Sequence, residues 1–130
     1  MILDSSVVIA LLRQEPEALR FSRAIESSQP CRISAASYLE AAIIIDRSDD
    51  AIASRRFEEF FRLSRTVVEV VTAKQAEIAR QAYRDFGKGR HKAGLNFGDC
   101  FAYALSKELD EPLLFKGTDF KHTDIQPAEF

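Results

Sequence analysis

Three of the most apolar stretches of this 130-residue chain each contain one acidic residue and no other charge. Asp4 is alone among residues 1–12, Glu40 from Ile33 to Ile45, and Asp99 from Gly94 to Ser106. An ionised carboxylate removed from water without a partner costs several kcal/mol or takes up a proton, so a fold that buries these stretches must give the acids something to face. Singly, each has an ordinary explanation, such as a helix cap for Asp4 or Asp99 and a solvent-facing position for Glu40. Together they point to one shared site.

The pattern around the acids predicts how they are carried. Residues 1–4 read as a short buried strand, with Ser5 or Ser6 capping a helix from Val7 to Arg13. Pro16 suits the first turn of a second helix that runs to Ser27 and Ser28. A short strand over Cys31–Ser34 leads into helices over Ala35–Asp46 and Asp49–Ser64. TVVEVV at 66–71 is the clearest strand by β-branched content, and Thr72 caps a helix to about Phe86. Residues 87–98 hold four of the five glycines and predict a flexible loop. Asn96 or Phe97 opens a helix through Leu109, Leu113–Phe115 forms a buried strand before the turn Lys116-Gly117-Thr118, and Ile125 begins a last short edge strand. Strands alternating with helices predict an α/β fold in three layers, a central, mostly parallel, short-stranded sheet flanked by helices. Its length fits one domain over 1–130. Ligand sites in such sheets lie beyond the carboxyl ends of the strands, where Asp4 and a fourth acid, Asp119, would both stand.

Several classes of chemistry are excluded. Cys31 and Cys100 have no CxxC spacing and no clustered histidine, so neither a zinc site nor a disulfide framework is expected. No stretch approaches the roughly 18 apolar residues of a membrane span, and the first twelve residues lack the basic start and cleavage site of a secretory signal. A cytoplasmic protein without membrane contact is expected. Paired carboxylates also serve glycosidases, but those need two acids and usually a tryptophan platform, and the chain has no Trp. The glycine-rich loop lacks the spacing of a nucleotide-binding loop.

Four converging carboxylates raise one another's pKa and call for a divalent cation. Oxygen ligands without Cys or His select Mg²⁺, with Mn²⁺ as a substitute, and this chemistry suits hydrolysis of phosphodiesters. The net charge of −2 does not oppose a polyanionic substrate, because setting the four acids aside leaves eighteen basic against sixteen acidic residues. Between Arg55 and Lys92 ten basic residues stand against five acidic ones. Within that region Lys88, Arg90 and Lys92, beside His91, are the candidates for contacting the phosphates of such a substrate.

ILDSSVVIALL, SAASYLEAAIII and LNFGDCFAYALSKELDEPLLFKGTDF together resemble the motifs of PIN-domain nucleases, and among them the VapC-type toxins of toxin–antitoxin modules. The resemblance spans nearly the whole chain, with Thr118 standing where relatives often carry Asn. It implies a Mg²⁺- or Mn²⁺-dependent endoribonuclease held inactive by a cognate antitoxin. It also implies a catalytic set of Asp4, Glu40, Asp99 and Asp119, with Asp4 and Asp99 as the principal metal ligands. Ser6, Asn96 and Thr118 are the supporting residues. Alternatives within the same fold are a non-toxin nuclease of RNA processing and a catalytically silent protein-binding module. Ile43, Ile44, Ile45, Phe57, Phe60 and Phe61 exceed what one face of each helix can bury, which predicts a groove for an amphipathic antitoxin segment, or for a second copy in a homodimer or hetero-oligomer.

Overall fold

The computed structural model describes residues 1–130. Four short strands, β1 (Ile2–Leu3), β2 (Arg32–Ser34), β3 (Val67–Glu69) and β4 (Leu113–Leu114), form a sheet in the order β3-β2-β1-β4. Every pairing is parallel, with Ile2 opposite both Arg32 and Leu113, and Ile33 opposite Val68. Six helices flank it: α1 (Ser5–Leu12), α2 (Ala18–Ser27), α3 (Ala35–Asp46), α4 (Ala51–Ser64), α5 (Ala73–Phe86) and α6 (Phe97–Leu109).

Because side chains alternate across a strand, neighbouring strand residues feed different layers. Ile2 and Leu113 pack with Ala79, Ala82, Ala102 and Leu105 of α5 and α6. Leu3, Ile33 and Leu114 pack with Val7, Phe21, Ala41 and Phe57 of α1 to α4. The result is the expected three-layer α/β arrangement. At the amino end of the sheet the N-terminal ammonium meets Glu111 at 2.6 Å, and Arg32 at the start of β2 pairs with Glu69 at the end of β3 at 2.5 Å. The carboxyl ends of all four strands therefore open on one side, and Asp4 follows β1 there directly, its N–H donating to the Leu114 carbonyl at 3.0 Å.

Four local expectations are corrected. The first helix starts at Ser5, and its cap is Asp4 rather than Ser5 or Ser6. The third strand covers only Val67–Glu69 of the 66–71 run. The tail beyond Ile125 makes a single bridge rather than a strand, Leu113 donating to the Gln126 carbonyl at 3.0 Å and accepting from the Ala128 N–H at 2.8 Å. Finally, the glycine-rich segment is laced shut rather than loose. Lys88 donates to the Leu95 carbonyl and Leu95 to that of Phe86, both at 2.9 Å, while Ala93 and Leu95 are buried and His91 stacks edge-on against Phe86.

Candidate functional site at the carboxyl end of the sheet

Asp4 is 4% exposed, and its two carboxylate oxygens have different surroundings. Oδ2 accepts from the Ser6 N–H at 3.1 Å and from the Ser6 hydroxyl at 2.5 Å, capping α1. Oδ1 is buried without any hydrogen-bond partner. The only other carboxylate oxygen so placed, Glu17 Oε2, lies 3.3 Å from the Lys116 ammonium. Asp4 Oδ1 is thus the one buried carboxylate oxygen with neither a hydrogen bond nor an ion pair. Burial, followed by the nearby charge of Glu40, raises the Asp4 pKa against the pull of the Ser6 bonds.

Asp99 enters from the first turn of α6. Asn96 caps that helix, its side chain accepting from the Asp99 N–H at 2.9 Å, while Asp99 Oδ2 accepts from the Asn96 N–H at 3.0 Å. This reciprocal box is what Asn-x-x-Asp at a helix start builds, and it fixes the direction of the Asp99 carboxyl. Burial, and then the charges of Asp4, Asp119 and Glu40, push the Asp99 pKa up to about 7 against the pull of the Asn96 bond. All four acids thus lie within electrostatic reach of one point.

Glu40 projects from α3 toward the start of α6, and its Oε1 accepts from the Ser5 hydroxyl. It can stand there because residue 98 is glycine. A Cβ at Gly98 would fall 2.0 Å from Glu40 Oε2 and 2.7 Å from its carboxyl carbon. Asp119 opens a single 3-10 turn (Asp119–His122) after β4 and is exposed. That segment is tied down by Ser6, whose hydroxyl accepts from the Lys116 N–H at 3.0 Å, and by the Lys116 ammonium between Glu15 and Glu17. Gly117 turns the chain at φ +101°, a conformation a side chain would strain. Thr118 is exposed, and its side chain does not cap the turn.

The four carboxylates that gather at this end of the sheet do not form a closed cage of ligands. No three acidic, histidine or cysteine side chains stand close enough to hold an ion by themselves. Glu40 and Asp119 lie around the Asp4–Asp99 pair rather than completing a cage, because Glu40 is held by Ser5 and Asp119 sits on the solvent side. A divalent cation still fits these residues. Magnesium usually takes one or two carboxylates and keeps several waters, and the buried, unpartnered Asp4 Oδ1, with Asp99 within electrostatic reach, offers such a donor set.

The sequence did not single out Ser5 or Gly98 as part of the site. Ser5 read only as a cap and Gly98 as one loop glycine among four, although a small residue wedged between a capping Asn and an acid signals close approach. Of the candidate RNA contacts, Lys88 lines a hollow between α5 and α6, Arg90 lies 5.9 Å from the Tyr83 ring centre, and Lys92 is exposed. The expected partner groove is also corrected. Ile45 and Phe57 are buried, and Phe57, Phe60 and Phe61 form a chain of ring contacts with Tyr38 at centroid distances of 4.9–5.2 Å, so most of that apolar set packs α3 against α4. What remains open is Ile43, 50% exposed on α3, and a hollow of about 550 Å³ between α1, α2 and α4, reached by Leu11, Ile25, Phe60 and Leu63. No helix is long and apolar enough to cross a membrane.

Comparison with known proteins agrees with this fold. Residues 1–126 match the PIN domain family. The chain is 50% identical to VapC ribonuclease Mb0625 of Mycobacterium bovis and to Ribonuclease VapC28 of Mycobacterium tuberculosis, covering 98% of this chain and 97% of each relative. Ribonuclease VapC of Mycolicibacterium smegmatis is 43% identical over 96% of this chain and 97% of its own. Among solved structures, VapC20 of Mycobacterium tuberculosis, a sarcin-ricin loop cleaving toxin, superimposes with a TM-score of 0.77 at 21% identity, covering 98% of both chains. A toxin–antitoxin complex from Klebsiella pneumoniae gives 0.72 at 19% identity, covering 99% of this chain and 98% of that one. These two share the fold. With the family matched along nearly the whole chain and close relatives that are ribonucleases, the protein belongs to the PIN-domain family, among its VapC ribonucleases of the toxin–antitoxin type.

Proposed function

We propose that the chain is a Mg²⁺-dependent endoribonuclease, with Mn²⁺ able to substitute, and the toxin of a toxin–antitoxin pair. The observation that carries this reading is Asp4 Oδ1, buried and unpartnered within electrostatic reach of Asp99. Asp4 and Asp99 would hold the cation. When bound, it neutralises charge on the attacked phosphate and makes water a competent nucleophile near neutral pH. Ser6 holds Asp4 Oδ2 and thereby keeps Oδ1 directed away from the helix cap. Asn96 orients Asp99. Glu40, fixed by Ser5, is placed to accept a proton from the attacking water, and Asp119, on the solvent side, orients the substrate edge of the site. Structured RNA incubated with the purified protein should be cut with Mg²⁺ or Mn²⁺ present and left intact in excess chelator. Cleavage undiminished by chelator would remove the metal from the mechanism.

The antitoxin is expected to lay an apolar segment into the hollow between α1, α2 and α4, where Leu63 is 66% exposed. Leu63→Arg should leave RNA cleavage and growth arrest intact while weakening neutralisation by the co-expressed antitoxin at least tenfold. Unchanged neutralisation would place the antitoxin elsewhere.

A further inference from the structure

On the far side of the α6 N-terminus from Asp99, Phe97 is 80% exposed although it begins a helix closed by a capping box. Its ring is held edge-on to Phe101 at a centroid distance of 4.9 Å and 80°. Beneath it the small side chains Ala76, Ala79 and Cys100 leave a hollow of about 620 Å³, room for one base with its sugar. Arg80 and Lys88 line the same hollow, and from Ala73 to Lys92 six basic residues stand against two acidic ones. Protein–protein interface cores are poor in charge, and in Lys especially, whereas an exposed aromatic ring among cations is the usual platform for an unpaired base.

The position matters as much as the composition. Asn96 lines the hollow and also accepts from the Asp99 N–H at 2.9 Å. Phe97 and Asp99, two apart on one helix, point to different sides of it. An RNA strand crossing the α6 N-terminus would therefore present a phosphate to the acids and an adjacent base to the hollow. We propose that this hollow is a nucleobase subsite in which one unpaired base flanking the cleaved bond stacks on Phe97, with Arg80 and Lys88 taking its phosphates. The proposal rests on the ribonuclease reading above and adds to it a requirement for an unstacked base.

The test compares a fluorescein-labelled single-stranded RNA decamer with an abasic decamer of the same charge, every protein carrying Asp4→Asn so that no RNA is consumed. The protein with Phe97 intact should bind the base-bearing decamer about 5- to 100-fold more tightly than the abasic one. Phe97→Ala should bind both equally with an unchanged salt slope, and Phe97→Trp should restore the preference. Lys88→Ala should weaken binding of both decamers and lower the salt slope by about one. Discrimination that survives Phe97→Ala overturns the subsite while leaving the nuclease reading standing. So does a Phe97→Ala protein that sediments as a smaller species with RNA affinity unchanged, since the face would then join two copies of the chain. If the parent enzyme with Asp4 intact cuts no RNA, the underlying reading fails as well.

Discussion

Asp99→Asn should lower RNA cleavage by at least about 10²–10³-fold, the usual scale for removing one group that stabilises developing charge, and should at the same time raise the melting temperature of the metal-free protein. The two effects share one cause. Burial and three neighbouring acids push the Asp99 pKa up to about 7, against about 3.9 in an unfolded chain. Between those values the folded state binds more protons than the unfolded one, so stability falls as pH rises from about 4 to about 7 and stays low above that. Asparagine removes the charge but keeps an oxygen for the Asn96 N–H, so the capping box survives. Asp99 is only partly buried, and after allowing for solvent screening a gain of a few degrees is expected at pH 8, with little or none at pH 4. The pH slope should flatten without vanishing, because burial raises Asp4 in the same direction. Divalent cation at pH 8 should stabilise the parent protein and not the variant. Thermal melts from pH 4 to 8, with and without Mg²⁺, read all of this. A variant that melts lower at pH 8, or cleaves as well as the parent, would remove Asp99 from the site.

Gly98→Ala should cost about 10- to 100-fold in kcat with little change in KM and in fold stability. Helix propensity alone favours Ala over Gly by about 1 kcal/mol, so a purely structural view expects a more stable, fully active enzyme. The geometry says otherwise, since the new methyl group would fall 2.0 Å from Glu40 Oε2. That carboxylate is the far end of a flexible side chain, so it swings aside rather than unfolding the helix, and its bond from the Ser5 hydroxyl is lost. Displacing a reacting group by about 1 Å commonly costs about 10²-fold in rate. Glu40→Gln should lose a comparable factor, and adding Gly98→Ala to it should cost little more, because both act through one carboxylate. Single-turnover cleavage of a structured RNA separates kcat from KM. Parent-like kcat in Gly98→Ala would show that the location of Glu40 is immaterial.

Much of the fold was legible because its signals are local. Apolar runs of two to four residues between amphipathic segments marked the order of strands and helices, and parallel pairing follows from helical crossovers between them. Element boundaries were less legible where a side chain had two possible roles. Asp4 proved to be the cap of α1, so its ordinary explanation holds for one oxygen, while the other is left buried without a partner. The looseness expected from four glycines was wrong because composition does not register the Phe86 and Leu95 backbone bonds that close the segment.

The sequence by itself determined that three acids stand alone in apolar stretches, because isolation of charge is a property of the chain order. It also determined that Asp4 and Asp119 follow strands of a parallel sheet and so share its carboxyl end. Only the tertiary structure decided which oxygen is left without a partner, that Glu40 leans across Gly98 to Ser5, and that Asp119 stays on the solvent side. It also decided that the three phenylalanines of α4 are spent on aromatic contacts with one another and with Tyr38 of α3. These depend on distances of a few ångströms between residues far apart in the chain, such as Glu40 and Gly98, and no local pattern encodes such a distance.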